Sequence, residues 1–69
     1  MESVQLAQRI RAFRKLKGYT QQEFANKINI SVAVLGAVER GNKPINQQLL
    51  IKIAQGLNIS VQELTELNG

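Results

Sequence analysis

The sequence of 69 residues predicts an all-α fold, a compact five-helix domain with a single core. Apolar residues recur three and four positions apart, as they do on the buried face of an amphipathic helix. Four polar residues suited to the N-cap position are each flanked by the apolar pair of a hydrophobic staple. With only two Phe and one Tyr in the chain, we expect a core built mainly of Leu, Ile, Val and Ala.

The first two helices are predicted over residues 3–17 and 20–28, on either side of the helix-breaking Gly18. The second starts with the spacing of a capping box, in which Thr20 is the N-cap and Glu23 follows three positions later. Both helices have an apolar face. Its members are Leu6, Ile10 and Phe13 in the first helix and Phe24, Ala25 and Ile28 in the second.

The third helix, residues 32–40, is predicted from its cap more than from its apolar pattern. The alternating apolar residues of 30–34 would equally fit a buried strand. Ser31 as N-cap, the stop at Gly41 and the lack of a second strand to pair with favour a helix. Its core-facing residues are Leu35 and Val38.

The fourth and fifth helices are predicted over residues 47–56 and 61–67, with Asn46 and Ser60 as N-caps. Ser60 and Glu63 repeat the spacing of a capping box. The second and fourth helices end alike, at an Asn that can take the left-handed conformation that closes a helix. These residues are Asn29 and Asn58. The core-facing residues of the last two helices are Leu50, Ile53, Ala54, Leu57 and Leu64.

The charge of the chain is uneven and indicates a polyanionic partner. The net charge is +4 and the pI is about 10.0, and residues 1–43 carry +5 while residues 44–69 carry −1. The chain has no His, Cys or Asp, so we expect no metal, no cofactor and no enzymatic activity. A polar start and the lack of a long apolar run indicate a cytoplasmic protein without a membrane segment.

Residues 20–40 have the layout of a helix-turn-helix pair, and several motifs surround it in a specific order. They are Ile10-Arg11-Ala12-Phe13-Arg14, Gly18-Tyr19-Thr20-Gln21-Gln22-Glu23-Phe24-Ala25, Asn29-Ile30-Ser31, Val38-Glu39-Arg40-Gly41, Ile53-Ala54 and Leu57-Asn58-Ile59-Ser60. In these motifs the chain resembles the Cro/repressor (Xre-type) helix-turn-helix family of prokaryotic and phage transcription regulators. The resemblance implies a lambda-repressor-like domain whose recognition helix lies in the major groove of double-stranded DNA.

The resemblance also implies roles for individual residues. The expected DNA-binding positions are Gln21, Gln22, Ser31, Val32, Ala33, Gly36, Ala37, Arg40, Asn42 and Lys43. Gln21 is expected to contact a phosphate and to brace the recognition helix, and Lys43 to contact the DNA backbone. Arg14 and Glu39 are expected to form a partly buried ion pair. The remaining cations of the first helix are expected to be a solvated outer face, formed by Arg9, Arg11, Lys15 and Lys17.

The recognition helix departs from the family pattern at the positions that usually touch base edges. Polar side chains are usual there, whereas this chain has Val32, Ala33, Gly36 and Ala37. None of these can form the paired hydrogen bonds that distinguish guanine or adenine. We therefore expect contact with thymine methyl groups, close approach of the backbone at Gly36 and Ala37, and recognition of DNA shape.

These observations predict a sequence-selective transcription regulator, acting as a repressor that occupies an operator. A homodimer on a palindromic site is expected, because one small module contacts few base pairs. The dimer contact is expected from apolar residues of the last two helices, Leu49, Val61 and Leu67. The alternative function is a protein-binding module, in which the apolar start of the third helix docks onto a partner protein.

Overall fold

The computed structural model describes residues 3–66, and this part of the chain forms five α-helices and no strand. They are α1 (Ser3–Leu16), α2 (Gln21–Lys27), α3 (Val32–Glu39), α4 (Gln47–Leu57) and α5 (Val61–Thr65). The predicted all-α fold is confirmed, and the segment that could have been a strand is α3. Each observed end lies within about two residues of its predicted position. The end predicted for the last helix at residue 67 lies outside the described residues.

Side-chain caps start four of the helices, at the residues that the sequence predicts. Thr20 accepts a bond from Glu23 N and its own N–H donates to Glu23 Oε1, which completes the predicted capping box. The other caps accept one backbone N–H each, at 2.8–3.1 Å; they are Ser31, Asn46 and Ser60. The complete capping box predicted at Ser60 is wrong. The structure has only the bond from Glu63 N, since water satisfies the exposed Glu63 carboxylate about as well as a second bond would.

Helices α1 to α4 all end with the same backbone motif. A left-handed residue follows each helix, and the N–H after it donates to the carbonyl five positions back. The left-handed residues are Gly18 (φ 86°), Asn29 (62°), Gly41 (76°) and Asn58 (60°). The closing bonds, 2.9–3.1 Å long, run from Tyr19 to Arg14, Ile30 to Ala25, Asn42 to Ala37 and Ile59 to Ala54. The left-handed conformations predicted for Asn29 and Asn58 are confirmed, and these ends permit the short connections of the fold.

All five helices contribute to one hydrophobic core. Its buried members are Leu6, Ile10, Phe24, Ala25, Ile28, Leu35, Val38, Ile53, Ala54, Leu57 and Leu64. Phe13 and Leu50, predicted as core residues, are only half-buried and pack at the edge of this cluster. The guanidinium of Arg9 lies over the Phe13 ring, 5.5 Å from its centre, in a cation–π contact. Ala7, which the apolar pattern did not single out, is 1% exposed.

Arg9 joins α1 to α5. Its Nε donates to the carbonyl of Leu64 at 2.7 Å, and its Nη2 donates to the carbonyl of Glu63 at 2.6 Å. These carbonyls belong to α5. The last four carbonyls of a helix have no partner within that helix. The expectation that Arg9 is only a solvated charge of α1 is therefore wrong. Arg9 caps a helix that is too short to be stable without tertiary contacts.

Candidate nucleic-acid interface

Helix α3 presents the residues of its first turn to the outside because its opposite face is in the core. Leu35 and Val38 are fully buried, while Val32 is 38% exposed. Ala33 is exposed and Ala37 is half-buried. The side chains predicted to touch base edges therefore differ in accessibility, and the accessible apolar surface lies at the start of the helix.

Arg14 and Glu39 form a buried ion pair between α1 and the end of α3, as the resemblance implies. Arg14 Nε lies 2.7 Å from Glu39 Oε2 and Nη2 lies 3.1 Å from Oε1, so the guanidinium binds the carboxylate through two parallel bonds. Arg14 Nη1 also donates to the carbonyl of Tyr19 at 2.7 Å. The two side chains are 7% and 2% exposed. The pair fixes the orientation of α3 relative to α1.

Gln21 connects the first residue of α2 to the same carboxylate. Its Nε2 donates to Glu39 Oε1 at 3.0 Å, so the expected brace against the recognition helix is present. The Gln21 side chain is half-exposed, and its amide has a second N–H that this bond leaves available. The phosphate contact expected of Gln21 stays a prediction.

Gly36 is buried, although the sequence places it among the residues expected to meet DNA. A Cβ built on Gly36 would lie 3.2 Å from Arg40 Nη1 and 3.9 Å from Gln21 Oε1. The side chains of Arg40 and Gln21 thus cover the backbone of α3 at this point. Direct approach of DNA to Gly36 would require Arg40 to move, because its flexible side chain lies in the way.

The other predicted DNA-binding residues lie on exposed surface around α2 and α3. On α2, Gln22 Nε2 donates to Asn26 Oδ1 at 3.1 Å, one helical turn later. The hydroxyl of Ser31 accepts the N–H of Val34 as a cap, which leaves its own proton free to donate. Arg40, Asn42 and Lys43 are all exposed after α3, where Gly41 turns the chain.

The residues predicted to contact a second copy are only partly accessible. Leu49 and Val61 are half-buried and pack against the core of their own chain. Leu67 lies outside the described residues. Ile51 on α4 is 38% exposed, although the sequence patterns do not predict it as a dimer contact.

The described part of the chain, residues 3–66, has no group of three His, Cys, Asp or Glu residues placed to hold a metal ion. None of its helices combines the length and the apolar character that are needed to cross a bilayer.

The same arrangement of helices occurs in proteins of known family. Residues 10–64 match the helix-turn-helix family HTH_3. YazB of Bacillus subtilis, an uncharacterized HTH-type transcriptional regulator, is 52% identical over 64 residues, which are 93% of both chains. This chain belongs to the helix-turn-helix family. The resemblance to Xre-type regulators inferred from the motifs is confirmed.

Solved structures of family members have the same fold. The restriction-modification controller protein C.AhdI of Aeromonas hydrophila is 32% identical, with a TM-score of 0.87 over 90% of this chain and 94% of that one. SinR, the master regulator for biofilm formation, has been solved in complex with DNA. It is 34% identical, with a TM-score of 0.83 over 88% of this chain and 98% of that one. These relatives are transcription regulators and controller proteins, in agreement with the expectation that the chain is not an enzyme.

Proposed function

We propose that this helix-turn-helix protein is a transcription repressor that binds an operator with α3 in the major groove. The observation that carries the proposal is the likeness of the whole α1 to α5 arrangement to SinR, whose structure was solved with DNA bound. The exposed start of α3 and the basic residues Arg40 and Lys43 after it fit such a complex, because cations on this side can bind phosphates. The proposed place of action is the cytoplasm, where prokaryotic DNA is found.

We propose that the repressor binds as a symmetric homodimer on a palindromic site. Two recognition helices about 34 Å apart can enter successive turns of the major groove, which doubles the base pairs contacted. The partly exposed Leu49, Ile51 and Val61 on α4 and α5 supply apolar surface for a second copy. Sedimentation with a palindromic duplex should show two copies per site. One copy per site at saturating protein would contradict the dimer.

Selection from random duplex DNA tests the function. We expect an enriched motif with two-fold symmetry, and an affinity that falls steeply with salt because bound counterions are released. No enrichment even at low salt, together with binding to a protein partner that salt does not weaken, would instead support the protein-binding alternative. Apolar docking through Val32 releases no counterions.

Val32 is expected to read bases through apolar contact with thymine methyl groups. Changing Val32 to Ser should reduce preference for the selected site with little change in affinity for unrelated DNA, because Val32 has no role in binding phosphates. Replacing thymine by uracil removes a methyl group and keeps every hydrogen-bonding group. At the thymine that Val32 touches, uracil should weaken the parent protein and leave the Val32→Ser variant unaffected. Titration of the matched duplexes by fluorescence anisotropy measures both effects.

Lys43→Ala is the matched control for this prediction. It should weaken binding to all sequences alike and reduce the slope of log affinity against log salt by about one unit, since it removes one phosphate contact. If uracil has no effect at any position and Val32→Ser keeps the preferred site, the recognition helix does not read thymine methyl groups.

A further inference from the structure

Helix α5 ends differently from the other four helices. The residue after it, Glu66, is extended (φ −75°, ψ 114°), whereas a left-handed residue closes each of α1 to α4. The N–H of Glu66 bonds to the carbonyl of Gln62, and the extended backbone then leads away from the two carbonyls that follow. Those carbonyls, of Glu63 and Leu64, are the two that Arg9 binds. A side chain of α1 therefore takes the place of a C-terminal backbone motif on α5.

The Arg9 guanidinium is held in place by two kinds of contact. It donates to the two carbonyls of α5, and it lies over the Phe13 ring, 5.5 Å from the ring centre. Phe13 packs against the core and lies four positions after Arg9, so both side chains leave the same side of α1. An aromatic ring beneath a guanidinium restricts the orientations of its planar fork of N–H donors. Arg9 thereby determines where the end of α5 lies relative to α1.

Few other contacts fix α5. The helix has five residues, fewer than an isolated helix needs to be stable in water. Leu64 is its one buried residue, and Val61 is half-buried at the surface proposed to meet a second copy. Opening of α5 alone exposes one core side chain, so it requires less free energy than unfolding of the whole domain. The hydrogen bonds from Arg9 are a large part of what opposes this opening.

We propose that Arg9 is a positioning residue for the homodimer, because it holds α5 on α1 in the conformation that meets the second copy. The proposal rests on the proposed homodimer, whose contact includes Val61 of α5. Without Arg9, α5 opens while α1 to α4 stay folded, and a copy with α5 open does not associate. Both copies must close α5 to form the dimer. If α5 is closed in one third of the variant molecules, association is weakened about nine-fold.

Hydrogen exchange of Arg9→Gln tests whether α5 opens by itself, with Arg11→Gln as the matched control. Both variants replace one arginine of α1, but Arg11 is exposed and lies two positions further, on the other side of the helix. In Arg9→Gln the amides of Leu64 and Glu66 should exchange at least about 10-fold faster, as expected when a hydrogen bond to a charged group is lost. The amide of Ile53 in α4 should keep its parent rate. Arg11→Gln should keep all three rates.

DNA binding tests whether the position of α5 sets dimer formation. The affinity for a duplex with one half-site is compared with the cooperativity between two copies on the palindrome, measured by fluorescence anisotropy and sedimentation. Arg9→Gln should keep its half-site affinity within about two-fold, because α5 carries none of the expected DNA-binding residues, and its cooperativity should fall about nine-fold. Arg11→Gln should keep the parent cooperativity, since a changed DNA contact alters the half-site and the palindrome alike.

Arg9→Lys separates positioning from charge. Lysine keeps the positive charge but lacks the planar fork that reaches two carbonyls at once. Its cooperativity should lie nearer that of Arg9→Gln than that of the parent. Full recovery of cooperativity and of α5 protection by lysine would show that charge alone acts, and would overturn the positioning role.

The other outcomes separate this proposal from the proposed function. If Arg9→Gln speeds exchange in α4 as much as in α5, Arg9 supports the whole fold and is not specific to α5. Unchanged cooperativity in Arg9→Gln would also overturn the proposal, and the proposed dimer would stand. A parent protein that binds the palindrome without cooperativity would overturn the homodimer together with this role of Arg9, whereas DNA binding itself would stand.

Discussion

Replacing Arg14 by Ala is expected to destabilise the domain by about 3–5 kcal/mol, the range for a buried ion pair that loses one partner. The variant removes the cation that binds the buried Glu39 carboxylate, and it also removes the donor to the carbonyl of Tyr19. Domains of this size gain only about 3–5 kcal/mol from a single core. We therefore expect Arg14→Ala to be largely unfolded at room temperature, as measured by circular dichroism and urea titration.

The double variant Arg14→Met, Glu39→Leu is the control for this prediction. It removes both charges and keeps apolar volume, so it should recover most of the lost stability. Arg14→Ala with a free energy of unfolding within about 1 kcal/mol of the parent would contradict the prediction.

Gly56→Ala is expected to destabilise the domain by about 2 kcal/mol, although alanine is the better helix former by about 1 kcal/mol. Gly56 lies in α4 where this helix crosses the end of α2. A Cβ there would overlap Cγ2 of Ile28 and lie 3.0 Å from Cε1 of Phe24. Both neighbours are buried, so neither can move without disturbing the core. Thermal unfolding of the variant measures the loss.

The same substitution in the recognition helix is the matched control. At Gly36 the new Cβ would meet the ends of two flexible side chains, Arg40 and Gln21, which can move aside. Gly36→Ala should therefore keep or raise stability, by up to about 1 kcal/mol from helix propensity. If the two glycine variants change the melting temperature equally, the close approach of α4 to α2 does not explain Gly56.

The ends of the helices could be predicted because they depend on residues near in sequence. The four caps accept the N–H of the residue three positions later. Asn29 and Asn58 close their helices by taking the left-handed conformation themselves. Such contacts have the same geometry in any fold, so spacing alone identifies them. The predicted complete capping box at Ser60 was wrong because its second bond lies on exposed surface, where water competes.

The candidate site was predictable only in part. The Arg14–Glu39 pair and the brace by Gln21 came from the family resemblance and not from any local pattern, since the paired residues are 25 and 18 positions apart. The burial of Gly36 under Arg40 was not predicted, because whether a long side chain folds back on its own helix depends on what the neighbouring helices leave open.

The sequence by itself determined where each helix begins and ends to within about two residues, most of the residues of the core and to which family the chain belongs. Only the tertiary structure decided how Arg9 of α1 is used. Its guanidinium caps α5 across 54 and 55 positions. By local spacing Arg9 is one of several equivalent cations on the helix surface. Its partner is set by the angles and distances at which whole helices pack, and those follow from the shape of the shared core and not from local spacing.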